Sequence, residues 1–149
     1  MPINGFTGQY SFLSNFYIYP IKWRDRILPS AEHAYQSEKT TDELERETIY
    51  HAVTPADAKR LGQKKHLKHL APDWDSIKSS IMLMVLYAKF YDAELRAKLL
   101  ATNNEKLIEK NWWNDTYWGV CNGRGKNVLG NLLMEVREHI REKNELHLS

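Results

Sequence analysis

Cysteine is nearly absent: Cys121 stands alone in 149 residues. That excludes an internal disulfide and any multi-thiolate zinc site, and leaves a small buried residue as the simplest reading. No stretch approaches the roughly 18 uncharged apolar residues of a membrane span. The first residues, MPINGFTGQYSF, hold neither a basic segment followed by an apolar run nor an Arg/Ser-rich amphipathic pattern. The expectation is a cytoplasmic protein with no membrane partner. Internal repeats, low-complexity tracts and Gly/Ser/Pro linkers are also missing, which points to one domain over residues 1–149. A net charge of +2 is too small to announce a nucleic-acid binder.

What is present suits a single globular core. Hydrophobic residues make up 42% and charged residues 27% of the chain, and a chain of this length can bury roughly 70% of its unfolded surface. From Tyr10 to Leu28 aromatic and β-favouring residues dominate, with Tyr17, Tyr19, Ile21 and Trp23 alternating against Ile18, Pro20 and Lys22. This predicts short strands, with a tight turn near Arg24-Asp25-Arg26 that lacks a hairpin glycine.

Helices take over after Pro29. Ser30 is a suitable cap for a helix over 31–39, a second helix spans 42–51, and Thr54-Pro55-Ala56-Asp57 starts a third that Gly62 would stop. Ile77, Ile81, Met84, Val85 and Ala88 recur at helical spacing within 74–91 and should face the core. Asp92 can cap a further helix carrying Leu95 and Leu99. Asn127 opens a C-terminal helix striped by Leu129, Leu132, Leu133, Val136 and Ile140, with a frayed tail after Lys143. The fold class is α+β and predominantly helical, with a small N-terminal β element and a possible strand over 106–110.

Candidate chemistry concentrates in two places. In Pro29-Ser30-Ala31-Glu32-His33-Ala34-Tyr35-Gln36-Ser37-Glu38-Lys39, residues Glu32, Gln36 and Lys39 stand at i, i+4 and i+7, so they could converge on one ligand or form a solvated helix face. In Trp112-Trp113-Asn114-Asp115-Thr116-Tyr117-Trp118-Gly119, three tryptophans beside Asn, Asp and Gly suit either a core or a loop offering stacking surfaces and a carboxylate. Gly123 and Gly125, leading into a helix, are weakly like a phosphate cradle but fit neither the P-loop nor the dinucleotide fingerprint. The segment 59–69 carries five Lys/Arg and no acid. It could hold pyrophosphate or a nucleic-acid backbone, or be a solvated face. His66 and His69 lack a clear third ligand, so no metal is expected.

Taken in order, these segments resemble the NADAR (YbiA-like) family. The resemblance rests on Leu13-Ser14-Asn15-Phe16-Tyr17, the Pro29 to Lys39 segment and Thr54-Pro55-Ala56-Asp57-Ala58-Lys59-Arg60-Leu61-Gly62. It continues through Ala88-Lys89-Phe90, Leu99 to Thr102, Leu107-Ile108-Glu109, Asp115-x-x-Trp118-Gly119 and Gly125-x-Asn127-x-Leu129-Gly130. It covers about residues 6–141. It implies an N-glycosidase without cofactor, acting on a nucleotide-like substrate: a phosphorylated riboflavin-pathway intermediate, or ADP-ribosylated guanine, which would make nucleic acid a modified substrate.

Cleavage of a ribose C1–N bond develops oxocarbenium charge on the sugar while the leaving nitrogen needs a proton or hydrogen bond. Glu32 is the first candidate for the charge and the ribose hydroxyls, Asp115 the second, and either could be the acid if burial kept it protonated. Lys39 could attack C1 and form a Schiff base, or simply pair with a phosphate or with Glu32. Trp74 and Trp118 could stack on a base or pack in the core. Asn15 and Asn127 could orient ribose hydroxyls, capping being the other role for Asn127. Phe16, Gln36, Lys89 and Gly119 are the further substrate-binding positions the resemblance implies. Two non-enzymatic readings stay open: a sensor binding ADP-ribose or a nucleotide without turnover, and a nucleic-acid module built on 59–69. Oligomeric state has no signal in the sequence.

Overall fold

The computed structural model describes residues 1–148. The chain forms two compact units, one of residues 1–14 with 90–149 and one of residues 15–89.

The 15–89 unit starts with a hairpin of β2 (Ile18–Trp23) and β3 (Arg26–Ser30), following the short strand β1 (Ile3–Asn4) of the other unit. Along β2 only Ile21 is fully buried, with Ile18, Pro20 and Lys22 turned outward, as the alternation requires. Trp23 pairs with Arg26 across a two-residue turn. Arg24 (φ 46°) and Asp25 (φ 61°) are both left-handed, the conformation that matches strand twist in such turns. Arg24 is held there by a bidentate pair with Glu38, its Nε donating to Oε2 at 2.8 Å and its Nη2 to Oε1 at 2.9 Å. The expected strand character from Tyr10 does not appear. Gly8–Leu13 is a 3-10 helix that buries Phe12 and Leu13 and satisfies its backbone locally, without a ladder partner.

Four helices complete this unit: α1 (Ala31–Ser37), α2 (Glu43–Tyr50), α3 (Pro55–Leu61) and α4 (Trp74–Lys89). α1 and α3 start at the predicted caps, and Asp42, expected to begin α2, caps it. Ser30 accepts from His33 N, Asp42 from Glu45 N and Thr54 from Asp57 N, with Pro55 in the first turn. α1 packs against α2, α3, α4 and β3, and is buried along its whole length. The buried face of α4 is Trp74, Met82, Val85, Leu86 and Lys89. Met84, expected on that face, lies off this stripe and is 56% exposed.

The other unit contains β1, α5 (Ala93–Leu100), β4 (Leu107–Ile108), β5 (Lys110–Asn111), β6 (Val120–Cys121) and α6 (Val128–Leu148). The possible strand over 106–110 is realised as two pieces. β4 pairs in parallel with β1 and β5 in parallel with β6. Leu95, Leu99, Leu107, Leu133 and Val136 are fully buried, and α5 and β4 both pack on α6. α6 continues to Leu148, so the expected fraying past Lys143 is replaced by helix; Ser149 lies outside the described residues. Cys121 is buried and unbridged. Among the described residues no helix is long and apolar enough to cross a membrane.

Candidate active site

α1 is fixed by a histidine that does no visible chemistry. His33 is completely buried. Its Nε2 donates to the Ala52 carbonyl at 2.9 Å, which leaves Nδ1 to accept from the Ser30 hydroxyl at 2.7 Å. With α1 anchored in this way, Glu32 and Gln36 stand one turn apart on a neighbouring face, 7% and 3% exposed. Gln36 Nε2 donates to Glu32 Oε1 at 2.7 Å, which orients the carboxylate, while Gln36 Oε1 is buried without a hydrogen-bond partner. Gly62 closes over the same amide. A Cβ at this position would overlap Gln36 Oε1 and lie 2.9 Å from Cδ. Glycine is thus required at the end of α3 by this close approach and not by backbone conformation, since its φ of −83° is open to any residue.

Lys39 was expected on one helical face with Glu32 and Gln36, but α1 ends at Ser37 and Lys39 sits in the turn beyond it. Its backbone is pinned by Lys39 N donating to Gln36 O and Ala71 N donating to Lys39 O. The side chain still shares an electrostatic neighbourhood with Glu32. Burial pushes the Lys39 ammonium below the ordinary lysine range, Glu32 opposes that shift, and Lys59, Lys64 and Lys78 add to it. Lys39 Nζ lies 5.5 Å from the centre of the Tyr35 ring. Against these four ammonium groups stand the carboxylates of Glu32 and of Asp75, which pairs with Lys64 and Lys78, so the local field stays net positive and suits an anionic ligand.

Asn15 enters from the strand side. Its carbonyl accepts from Glu32 N at 3.0 Å, its Nδ2 donates to Met82 Sδ at 3.1 Å, and its Oδ1 is buried without a partner. Phe16 is 40% exposed and lies beneath Lys59 Nζ, 5.8 Å from its ring centre. On α4, Lys89 is buried with Nζ 5.9 Å from the Tyr17 ring centre, and desolvation lowers its pKa to about 7. Trp74 is buried against Tyr35 with ring centres 5.4 Å apart, in the wall that supports α1.

Asp115, Trp118, Gly119 and Asn127 belong to the other unit. Asp115 Oδ1 accepts from Tyr117 N at 3.1 Å and Trp118 N at 2.9 Å, while the Asn111 side chain brackets the Asp115 backbone, donating to its O and accepting from its N. This is an Asx turn that orders the Trp loop. Trp112 and Trp113 are exposed and Trp118 is half-buried with an edge contact to Tyr117, so the segment is a loop and not core. Gly119 is required by contact: a Cβ would overlap the backbone and carboxylate of Glu109. Asn127 immediately precedes α6, yet its side chain does not cap it. At φ 54° its Oδ1 accepts from Glu109 N and its Nδ2 donates to Leu107 O, so it stitches β4 to the start of α6.

The structure thus gathers Asn15, Phe16, Glu32, Gln36, Lys39, Trp74 and Lys89 in one unit and Asp115, Trp118, Gly119 and Asn127 in the other. Sequence reasoning gave Tyr17 and Tyr35 no site role beyond their place in the family blocks, gave Gly62 none beyond a helix stop within such a block, and did not mention Lys78. Tyr35 could have been found, being one residue from Gln36 on a helix buried all round; Lys78 had no local signal.

Comparison with known proteins gives the family and the fold. The NADAR domain model matches residues 5–141. N-glycosidase YbiA of Escherichia coli K12 is 45% identical over 136 residues, covering 90% of this chain and 84% of the relative. An N-glycosidase of Nostoc punctiforme is 38% identical over 137 residues, covering 89% and 86%. A riboflavin biosynthesis protein of Vibrio vulnificus is 35% identical over 136 residues, 90% of this chain but only 36% of that longer protein. The NMR structure of E. coli YbiA superposes with a TM-score of 0.85 at 41% identity, covering 97% of this chain and 86% of that one. With a family match spanning nearly the whole chain and relatives of this identity, the chain belongs to the NADAR domain family and is an N-glycosidase.

Proposed function

We propose that the reaction is hydrolysis of a ribose C1–N bond in a phosphorylated, nucleotide-like substrate, with Glu32 as the principal catalytic residue. The observation that carries this reading is the oriented Glu32 carboxylate, fixed by Gln36 at 2.7 Å and acting on the buried Lys39, whose ammonium also feels Lys59, Lys64 and Lys78. The lysines suit a substrate phosphate, and the carboxylate stabilises positive charge on the sugar or takes a proton from water. Buried polar atoms are usually hydrogen-bonded, so the unpaired Oδ1 of Asn15 is an acceptor suited to a ribose hydroxyl, while Gln36 Oε1 is closed off by Gly62. Phe16 offers a partly exposed ring for the base.

The names of the relatives favour a phosphorylated riboflavin-pathway intermediate over ADP-ribosylated guanine. Asp115, with Oδ1 committed to two backbone amides, is a positioning residue for the Trp118 loop in this reading.

A covalent route is favoured by one observation, the lowering of the Lys39 ammonium by burial, which raises its neutral fraction. The neutral amine would bond to C1 as the C1–N bond breaks and the leaving nitrogen takes a proton. Ring opening would give a protonated Schiff base, and water would add to it and expel the amine. Borohydride present during turnover separates the routes: a reduced sugar adduct on Lys39 establishes the covalent one, and unmodified active protein excludes it.

The test of the overall reading is release of free base from riboflavin-pathway intermediates and from ADP-ribosylated guanosine. Wild type should turn over one of them and Glu32→Gln should lose about 10²–10⁴-fold in rate while staying folded. Tight binding without turnover would replace the enzyme reading with a nucleotide sensor.

A further inference from the structure

A separate cavity of about 840 Å³ lies wholly within the unit of residues 1–14 and 90–149. Its lining includes Lys106, Lys110 and Lys126, five asparagines, Trp112 and two glycines, and no acidic residue. None of the residues assigned to C1–N cleavage in the Glu32 cluster takes part.

The composition follows from strand periodicity. Lys106, Ile108, Lys110 and Trp112 occupy alternate positions of one segment and all line the cavity, while Leu107 is buried behind it and the largely buried Asn111 reaches its wall. Glu109, the acid within this run, is turned the other way, against Gly119. Pairing widens the floor: Asn4 stands beside Ile108 across β1–β4, and Val120 beside Lys110 across β5–β6. Opposite, Asn122 (φ 54°) and Gly123 (φ 75°) form a two-residue turn closed by reciprocal hydrogen bonds between Cys121 and Arg124.

Electrostatics and shape then narrow the ligand. Among the described residues none of the three lysines is in an ion pair, unlike Lys64 and Lys78, which meet Asp75. Lys126 lies 5.7 Å from the Tyr117 ring centre, a contact that leaves its charge in place. Trp112 is 86% exposed and keeps a flat apolar surface in water beside these charges. Its ring meets Trp113 edge-on with centres 5.6 Å apart, so the two indoles form one exposed aromatic patch of the kind that marks a binding surface. Three cations answer a phosphate, an indole face answers an aromatic base, and the exposed amides of Asn4 and Asn122 offer donor and acceptor pairs to a base edge. The volume is in the range of small-ligand sites, roughly 300–1,000 Å³.

We propose that this cavity is a second binding site for a nucleoside phosphate, either a free nucleotide or one unit of a single strand. The Lys106, Lys110 and Lys126 ammonium groups hold the phosphate and Trp112 stacks on the base.

The experiment is equilibrium binding of 5′-AMP and of a labelled thymidine oligomer of about twelve nucleotides to the full chain, at low and moderate salt. Wild type should bind at least one of these probes. The Lys106→Ala/Lys110→Ala/Lys126→Ala variant should bind about tenfold or more weakly, with a reduced salt slope. Trp112→Ala should weaken binding with the salt slope unchanged. All four side chains are exposed, so circular dichroism should match wild type. Comparable affinity for AMP and oligomer identifies a free nucleotide; binding confined to the oligomer identifies a strand. Glu32→Gln should bind the probes as wild type does, so loss of turnover and loss of this site are read apart. The proposal is overturned if neither probe binds at millimolar concentration, or if the lysine variant binds as wild type. It is equally overturned if Lys64→Ala/Lys65→Ala/Lys68→Ala weakens binding as much as the cavity variant.

Discussion

Gln36 and Gly62 meet across a gap that admits no Cβ: the glycine lies against the side-chain amide whose Nε2 donates to Glu32 at 2.7 Å. The end of α3 therefore sets the orientation of a carboxylate on α1.

Gly62→Ala should force the Gln36 amide to rotate and release Glu32. Overpacking of this kind costs about 1–3 kcal/mol, which urea unfolding would measure, and the rate should fall more than the stability loss explains. In a Gln36→Ala background the added methyl no longer meets the amide and keeps only the 3.1 Å approach to the Cβ at position 36, so the same change should cost clearly less stability. An equal stability cost in both backgrounds would show that the contact is not with Gln36.

Lys89 should make stability depend on pH. Its folded pKa, lowered to about 7 by burial, lies below the ordinary lysine value. The unfolded chain therefore binds more protons above neutrality, and stability rises with pH through that window. The destabilisation is complete below about pH 7 and fades toward the unfolded value near pH 10, a change of a few kcal/mol at most. Urea midpoints between pH 6 and 9 should climb for wild type and lose most of that slope in Lys89→Met.

Asp115 separates a turn-forming carboxylate from a catalytic one. Asparagine retains an oxygen for the Tyr117 and Trp118 amides, so Asp115→Asn should keep stability within about 0.5 kcal/mol and most of the activity. Asp115→Ala should lose about 1–2 kcal/mol. An Asp115→Asn protein that is fully stable and inactive would return this residue to the catalytic set.

The hairpin turn offers a stabilising change. Asp25 is left-handed at φ 61° with a Cβ, and Asp25→Gly should raise stability by about 0.5–1 kcal/mol. Arg24→Gly at the neighbouring position should gain less, because it also breaks the bidentate pair with Glu38. Thermal unfolding of the two variants checks the order.

Local signals were legible wherever the physics is local. The capping hydroxyls and carboxylates of Ser30, Asp42, Thr54 and Asp92 each satisfy a nearby amide, and the helices begin where these residues stand. Of the predicted stripe, Leu129, Leu133, Val136 and Ile140 are buried because helical period places them on one face, while Leu132 at its edge is half-buried. Other readings failed where a distant partner intervenes. Asn127 has the residue type and position of a cap, but Leu107 and Glu109 claim its amide. Met84 fits a helical period, but the neighbours of α4 select the stripe through Met82 and Lys89.

The sequence by itself determined the family, the helical elements and the presence of Glu32, Gln36 and Lys39 in one short segment. Tertiary structure alone decided that Gly62 braces Gln36, that Lys59, Lys64 and Lys78 act on Lys39, and that Lys106, Lys110 and Lys126 share a cavity without an acid. Caps and periods depend on neighbours a few residues away, which the chain spells out. Desolvation, charge clustering and close backbone approach depend on which distant segments meet, and those terms exist only once the fold has formed.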